Sequence, residues 1–398
     1  MFPYNYIRHG SCLYNYNPEK RINMKKMLLF VFPIMLAGFI IPDKQHNHNF
    51  NPGTMHTEQS DGPYVLYKND KLFAKYILNN HGTYIVRSDS MALSQKESLS
   101  IVVATDLPGK TFSVQLKKKN EVERSEYKKV TKQIAISDIE GNFGPFRKLL
   151  TANGVIDDNF NWTFGNGHLV LTGDFFDRGN QVTEVLWLIY SLEEKAKEAG
   201  GYVHFILGNH EIMNMSGDLR YVQSKYKEIA VLLGERYEDL YGENSELGRW
   251  LRSKNIVEKI GNILYTHGGI SQEVNNMDVT IEQINELSRP YYADSLYQYN
   301  DKRLNILYGD FGPFWYRGYY QGVAKASPQQ IDSTLSKFNI SHIATGHTVI
   351  ADTISVSYNG KVFDTDVHHA AGKSEALLIE DGKFFRVNAT GEKFLLKQ

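Results

Sequence analysis

The sequence predicts an α/β fold in which a mixed β-sheet, or two facing sheets, is flanked by helices. Three observations lead to this prediction. From residue 131 onwards, short apolar runs alternate with longer segments of helical periodicity. Polar loops follow the apolar runs. Near the carboxyl terminus, several short predicted strands are separated by hairpin turns. In such folds the loops that follow the strands gather at one edge of the sheet.

The first part of the chain has the layout of a secretory signal. Met24-Lys25-Lys26 precedes an uncharged apolar run, residues 27–41, which is shorter than the ~20 residues of a membrane span. We interpret residues 1–23 as an upstream extension and residues 24–42 as a signal peptide or a membrane anchor. The protein is therefore expected to be exported, either periplasmic or anchored through residues 27–41 and facing the periplasm. A buried helix in a cytoplasmic protein is the alternative.

Two further segments precede the large domain. Residues 43–61 are polar and predict a linker, and residues 62–130 predict a small β-rich accessory region that ends in a charged connector. The connector, residues 116–130, mixes both signs of charge, so we expect a solvated segment and not a nucleic-acid patch. A net charge of −1 also argues against a nucleic-acid partner. The single cysteine, Cys12, excludes a disulfide framework and a cysteine-based zinc site.

Polar clusters follow the apolar runs of the large domain, residues 131–398. There are five of them, at residues 137–142, 173–179, 208–211, 266–269 and 345–348. Each alone has a plain structural interpretation as a helix cap or a turn. Together they bring carboxylates, an amide oxygen and imidazoles to one sheet edge, where such groups repel or stay unsatisfied without cations. Mixed oxygen and nitrogen ligands suit Mn, Fe or Zn, with Mg as a further candidate, at a dinuclear centre.

The order of these motifs resembles a known family. GDFFDRG, GNHE, HGG and GHT, with GPFWYRG at residues 312–318, are similar to the calcineurin-like metallophosphoesterases, in particular to the phosphoprotein-phosphatase group and its bacterial, Shewanella-like branch. The resemblance covers residues 132–380 or thereabouts. It implies a sandwich of two mixed β-sheets flanked by helices. It also implies an enzyme that hydrolyses phosphate monoesters of proteins or small molecules by attack of a metal-bound hydroxide.

The resemblance also implies roles for ten residues. Two divalent ions, with Mn foremost, would be held by Asp138, Glu140, Asp174, Asn209, His267 and His347. Of these, Asp174 would bridge the ions. The implied catalytic residues are His210 as general acid, Asp177 as its orienting partner, and Arg178 and Arg317 as the clamp for phosphate oxygens.

The first cluster departs from the family, which has histidine at the position of Glu140. A carboxylate still ligates metal, so we expect an intact site that prefers Mn or Mg; a weak or absent first metal is the alternative. Two other hypotheses stay open, a nucleotide or dinucleoside polyphosphate hydrolase and a non-catalytic metal-binding module. Because a structural metal site needs neither His210 nor the arginines, the sequence favours the enzyme. His368 and His369, which follow Asp366, could lie near the site, but we interpret them as supports for the last strands.

Overall fold

The computed structural model describes residues 59–295, 298–322 and 325–396, and these belong to one compact unit. The predicted extension, the signal or anchor segment and all but the end of the predicted linker lie outside the described residues. Within the described part of the chain, no helix combines the length and the apolar character that a membrane crossing requires.

The secondary structure alternates as the sequence predicts. The strands are β1 (Gln59–Lys68), β2 (Lys71–Asn80), β3 (Thr83–Ala92), β4 (Ser100–Ala104), β5 (Thr111–Gln115), β6 (Glu126–Tyr127), β7 (Lys132–Ile136), β8 (His168–Leu171), β9 (Tyr202–Phe205), β10 (Val257–Ile260), β11 (Ile263–Thr266), β12 (His342–Thr345), β13 (Ser355–Ser357), β14 (Val362–Asp364), β15 (Glu375–Glu380), β16 (Lys383–Asn388) and β17 (Lys393–Leu395). The helices are α1 (Phe143–Ala152), α2 (Val182–Glu198), α3 (Asn209–Ser216), α4 (Ser224–Leu233), α5 (Glu246–Leu251), α6 (Gln272–Asn276), α7 (Ile281–Ser288), α8 (Lys302–Leu307) and α9 (Pro328–Phe338). Short 3-10 turns cover Leu93–Ser98, Tyr237–Tyr241, Arg289–Tyr291 and His369–Ala371.

Two six-stranded mixed sheets form the centre of the fold. Sheet A has the order β17-β16-β15-β7-β8-β9, and sheet B has the order β13-β14-β12-β11-β10-β6. Strands β7, β8 and β9 are parallel to one another, as are β11, β12 and β14, while the hairpin strands are antiparallel. The predicted α/β class with two mixed sheets is confirmed.

The two sheets pack face to face through a buried apolar layer. Ala135 and Val170 of sheet A and Phe363 of sheet B belong to one cluster of fully buried side chains. The Tyr265 hydroxyl donates a hydrogen bond of 2.9 Å across this layer to Oε1 of Gln133. The short strands carry apolar side chains on both faces. One face of each sheet packs against the other sheet, and the opposite face packs against the outer helices.

The predicted hairpin turns are present. Asp381 and Gly382 join β15 to β16 with φ of 50° and 76°, both in the left-handed region. A two-residue turn of this handedness matches the twist of the strands, and Asn, Asp and Gly adopt it at low cost. Asn359 and Gly360 lie in the same region between β13 and β14.

The β-rich region packs directly on the large domain. Strands β1 to β3 form an antiparallel sheet, and β4 and β5 form a hairpin. Strand β1 begins at Gln59, inside the segment predicted as linker. The indole N–H of Trp187 on α2 donates to the Pro63 carbonyl at 2.8 Å, and the buried side chains of both regions belong to one core.

The charged connector is not solvated along its whole length, and that expectation is wrong at two positions. The side chains of Lys117 and Glu123 are only 8% and 7% exposed, because each pairs with an opposite charge: Lys117 with Glu193, and Glu123 with Lys254. Lys254 also lies 2.7 Å from a Glu193 oxygen. Burial of charge is tolerated where partners neutralise it, and a mixed-sign run supplies such partners. The same segment contributes β6 to the edge of sheet B.

Candidate active site

The carboxyl ends of six strands, three from each sheet, bring polar residues to one cleft. These residues are Asp138 after β7, Asp174 after β8, Asn209 after β9, His267 after β11, His347 after β12 and Asp366 after β14. Parallel strands of one sheet end at the same edge, and the facing of the two sheets places both edges together. Neither sheet alone supplies the full set.

The backbone of the site is held in an unusual conformation. Six of the ten residues predicted for the site have left-handed φ values: Asp138 (54°), Glu140 (49°), Asp174 (62°), Asp177 (68°), Arg178 (54°) and His347 (70°). Each such non-glycine residue costs on the order of 1–3 kcal/mol and persists where its surroundings fix it. The Glu140 N–H donates to the Asp174 carbonyl at 2.9 Å, and the Glu140 carbonyl accepts from Gly179 at 2.8 Å.

The centre of the cleft is a buried cluster of carboxylate, imidazole and amide groups. Nε2 of His267 lies 3.1 Å from Oδ2 of Asp174, 3.0 Å from Oδ1 of Asn209 and 3.1 Å from Nδ1 of His347. Ligand atoms of Asp174, His267 and His347 all lie within 4.8 Å of one another. A second group with the same spacing contains Glu140, Asp174 and His210. Asp174 is the residue that the two groups share.

The two histidines of this cluster are oriented by backbone carbonyls. Nδ1 of His267 lies 2.7 Å from the Thr172 oxygen, and Nε2 of His347 lies 3.2 Å from the Trp315 oxygen. A ring nitrogen that donates to a carbonyl leaves the lone pair of the other nitrogen pointing into the cluster, as histidine ligands of metals do. The donor set therefore fits a divalent cation.

The electrostatics of the cluster also fit a cation. Burial opposes a charged imidazole, but the Asp174 carboxylate outweighs burial and raises the pKa of His267 to about 10. Burial, and then the neighbouring Asp366, raise the pKa of Asp138 well above its usual range. The buried carboxylates thus require positive charge, which a proton on His267 supplies in part and a divalent ion would supply in full.

Glu140 lies between the cluster and the arginine predicted to bind phosphate. Its carboxylate forms an ion pair with the Arg178 guanidinium, while one of its oxygens belongs to the group with Asp174 and His210. The Arg178 side chain is 51% exposed. Glu140 is therefore within reach of both a metal ion and the phosphate clamp.

The predicted general acid is buried at the edge of the cluster. Nδ1 of His210 lies 2.5 Å from Oδ2 of Asp177, and its Nε2 lies 3.7 Å from Oδ2 of Asp174. Burial lowers the pKa of His210, but Asp174 and Asp177 outweigh it and raise this pKa above its usual value. Arg317 reaches the cleft from the other side, where it donates to the His347 carbonyl and, at 3.2 Å, to Oγ1 of Thr348.

One important side chain has no role in the sequence prediction. Glu211, the last residue of GNHE, is fully buried and accepts hydrogen bonds from three backbone N–H groups, those of Asp174 (2.9 Å), Phe175 (2.7 Å) and Gly208 (2.7 Å). It joins the loops after β8 and β9. In the sequence, the only sign of a role for Glu211 is that it directly follows His210. Its hydrogen-bond partners are backbone groups, and the sequence does not specify them.

The last two histidines both lie near the site, as the sequence allowed, and one of them also acts as a support. Asp366, His368 and His369 all line the cleft. His369 does act as a support, since its Nε2 lies 3.1 Å from the Ser137 carbonyl. His368 is exposed, with Nδ1 3.1 Å from Oδ1 of Asp352. The signal that could have found Asp366 is its place two residues after β14, which matches the place of the other site residues after their strands.

The cleft has a narrow base and a wide mouth. The base, about 100 Å³, is lined by Asp138, Asp174 and His210 among others. The mouth, about 540 Å³, is lined by Arg178, Arg317 and their neighbours. Anionic ligands at the base and cationic side chains around it suit a phosphate group whose substituent extends outwards.

Comparison with known proteins agrees with this chemistry. The sequence profile described as calcineurin-like phosphoesterase matches residues 131–351, more than half of the chain. The chain is 37% identical to the cold-active protein-tyrosine phosphatase of a psychrophilic Shewanella species, with a TM-score of 0.77 over 85% of this chain and 99% of that structure.

Two curated relatives are also similar. The chain is 25% identical to Shewanella-like protein phosphatase 2 of Arabidopsis thaliana, over 65% of this chain and 76% of that protein. It is 29% identical to Shewanella-like protein phosphatase 1 of Plasmodium berghei, over 54% of this chain and 61% of that protein. The chain therefore belongs to the calcineurin-like phosphoesterase family and is a phosphatase.

Proposed function

We propose that this phosphatase hydrolyses phosphate monoesters on proteins with two divalent ions, of which Mn is the foremost candidate. The observation that carries the proposal is the buried carboxylate–imidazole cluster with the His210–Asp177 pair at its edge. Protein phosphatases among the relatives support the substrate class. The proposed metal ligands are Asp138, Glu140, Asp174, Asn209, His267 and His347.

The proposed bridging role of Asp174 follows from its position. It is the residue common to both groups of ligand atoms, and its Oδ2 lies 3.1 Å from Nε2 of His267 and 3.7 Å from Nε2 of His210. Two bound ions would supply Lewis-acid activation of the attacking water and charge neutralisation of the phosphate. An oxygen-rich set with Glu140 in place of histidine supports Mn over Zn.

The chain's own residues complete the reaction. Arg178 and Arg317 hold two phosphate oxygens, and the rigidity of a guanidinium fork orients the phosphorus for in-line attack. His210 donates the proton on Nε2 to the leaving oxygen, while Asp177 holds the opposite ring nitrogen. The Asp174 and Asp177 carboxylates raise the pKa of His210, which favours the protonated ring that a general acid needs.

The proposal is tested by hydrolysis of p-nitrophenyl phosphate with added Mn. Asn209→Ala is expected to lower kcat/KM for this substrate about 100-fold or more. His210→Ala is expected to have its large effect, about 100-fold, on an alkyl phosphate, whose leaving oxygen needs a proton. Asn159→Ala, at an exposed loop position, is the matched control and should retain the wild-type rate. Absence of turnover with every divalent metal tried would contradict the proposal and favour a metal-binding module.

A substrate panel separates the proposed activity from its enzymatic alternative. Phosphotyrosine peptides, phosphoserine peptides and a dinucleoside polyphosphate are compared at equal enzyme and Mn concentrations. The proposal expects the peptides to be the better substrates by kcat/KM. A dinucleoside polyphosphate that is turned over faster than either peptide would assign the chain to the nucleotide hydrolases.

We also propose that the protein is exported. Support comes from the sequence alone, in the basic pair before the uncharged run 27–41. Cell fractionation tests the proposal, with amino-terminal sequencing to separate a cleaved signal from a retained anchor. Recovery of the full-length chain in the cytosolic fraction would contradict it.

A further inference from the structure

An aromatic side chain lies beside the proposed acid and the proposed phosphate clamp. Tyr221 is 44% exposed, and its ring centroid lies 5.2 Å from that of His210 with 48° between the ring planes. The Tyr221 carbonyl accepts a hydrogen bond of 3.2 Å from the Arg178 N–H. This bond fixes the backbone of Tyr221 relative to the backbone of Arg178.

Two guanidinium groups lie near the same ring. The Arg178 guanidinium carbon lies 5.4 Å from the Tyr221 ring centroid, and that of Arg220 lies 5.7 Å from it. Arg220 is itself held by the Asp218 carboxylate at 2.7 and 2.9 Å. Cations within about 6 Å of an aromatic ring are attracted by its π electrons. These contacts hold the ring in place while a large part of its surface stays open.

The chemistry of the reaction places the leaving group near this ring. His210 hands its proton to the leaving oxygen, so the group bonded to that oxygen must lie on the His210 side of the phosphate. Tyr221 is on that side. An aryl leaving group is planar and can stack on the ring, whereas the single methylene of a phosphoserine has no face to offer.

We propose that Tyr221 is a specificity-determining residue that favours phosphate esters of phenols, such as phosphotyrosine, over those of aliphatic alcohols. This inference rests on the proposed function, since it concerns the leaving group at the same site. Tyr221 contacts the aryl ring of the leaving group, and Arg178 and Arg220 keep the Tyr221 ring in position.

The test compares two peptides of the same sequence, one with phosphotyrosine and one with phosphoserine. Tyr221→Leu is expected to lower the phosphotyrosine-to-phosphoserine ratio of kcat/KM about 3- to 10-fold, the range given by loss of an aromatic pair. Tyr221→Phe keeps the ring and should keep the ratio within about twofold of wild type. Tyr84→Leu, an exposed tyrosine on β3, is the matched control for the same substitution.

A purely structural role for Tyr221 predicts the opposite sign. If the ring only orients His210, its loss weakens acid catalysis, which matters more for the basic serine alkoxide than for the less basic phenolate. The ratio would then rise in Tyr221→Leu, and that result would overturn the inference. A Phe variant with the ratio of the Leu variant would also overturn it.

The outcomes also separate this inference from the proposed function. If neither peptide is hydrolysed by the wild-type enzyme, the proposed function fails and the inference fails with it. If both are hydrolysed and Tyr221→Leu leaves the ratio unchanged, the inference alone is overturned. Thermal unfolding of each variant shows whether a change in rate comes from loss of folded protein.

Discussion

Asp177 places one carboxylate oxygen 2.5 Å from Nδ1 of His210, and both side chains are buried. The other oxygen of Asp177 is buried and has no hydrogen-bond partner among the described residues. A buried carboxylate with one partner stabilises positive charge on that partner. The pair thus favours the protonated form of His210 and points Nε2 into the cleft.

Asp177→Asn should therefore weaken acid catalysis without removing a proposed metal ligand. We expect kcat to fall about 10- to 100-fold for an alkyl phosphate and much less for p-nitrophenyl phosphate, whose leaving group needs little protonation. The measurement is kcat across a series of leaving groups of increasing basicity, with bound metal quantified in parallel. An equal loss for every leaving group would show that Asp177 does not act through His210.

Glu140→Gln should strengthen phosphate binding, because the Arg178 guanidinium loses its ion-pair partner. Because Arg178 is half-exposed, the ion pair contributes at most about 1 kcal/mol. Its loss should therefore lower the inhibition constant for inorganic phosphate about two- to fivefold. Inhibition is measured at saturating Mn. Glu194→Gln, at an exposed position on α2, is the control.

Glu140→His should move the metal preference of the enzyme. Imidazole in place of a carboxylate removes one negative charge and favours Zn over Mg. Isothermal titration calorimetry with Mg, Mn and Zn is expected to show a tighter Zn complex in the variant relative to wild type. A ratio of Zn to Mg affinity that is the same in the variant and in wild type would mean that Glu140 is not a ligand.

Glu211→Ala should destabilise the fold, since three backbone N–H groups lose their buried acceptor. We expect a loss of about 2–4 kcal/mol in the free energy of unfolding. Urea unfolding in excess chelator measures this change independently of metal. Glu228→Ala, on the exposed side of α4, should change the free energy by no more than about 0.5 kcal/mol.

A buried chain of titratable groups between the sheets predicts a pH dependence of stability. Glu258 lies 2.7 Å from Nδ1 of His204, whose Nε2 lies 2.8 Å from Nδ1 of His168. Burial raises the pKa of Glu258 to about 8 and lowers that of His204 to about 3. The two pKa directions indicate that Glu258 and His204 form a neutral hydrogen bond and not an ion pair.

The direction in which stability changes with pH follows from the proton on Glu258. In the unfolded chain this group has the ordinary value of 4.5, so the folded state binds an extra proton between that pH and about 8. The stability that this proton contributes is fully present below the pKa that Glu258 has in the unfolded chain. It is lost as the pH rises through the pKa that Glu258 has in the folded protein. Between pH 7 and 8 wild type should lose about 1 kcal/mol relative to Glu258→Gln, measured by urea unfolding. Parallel pH curves for the two proteins would contradict this.

Much of the site follows from the sequence because its residues occupy equivalent places. Asp138, Asp174, Asn209, His267 and His347 each follow an apolar run within a few positions, and parallel strands bring such positions together. The hairpin turns were predictable for a similar reason, since Asp381 and Gly382 are suited to left-handed backbone.

Other features depend on side-chain direction and on partners far away in the sequence. The pairing of Glu140 with Arg178, the contact of Tyr221 with His210 and the backbone partners of Glu211 arise only once the loops are folded. Burial of Lys117 beside Glu193 shows the same limit, because a charge run looks solvated until its opposite charges are located.

The division of the polar cluster between two sheets has a mechanical consequence. Asp174 and Asn209 are attached to sheet A, whereas His267 and His347 are attached to sheet B. An ion that binds all four would fasten one end of the sandwich, and its binding energy would add to the cohesion of the two layers. Chelation should thus loosen the seam between the layers at that end first, visible as faster amide hydrogen exchange in β8 and β12 than in β15 and β16.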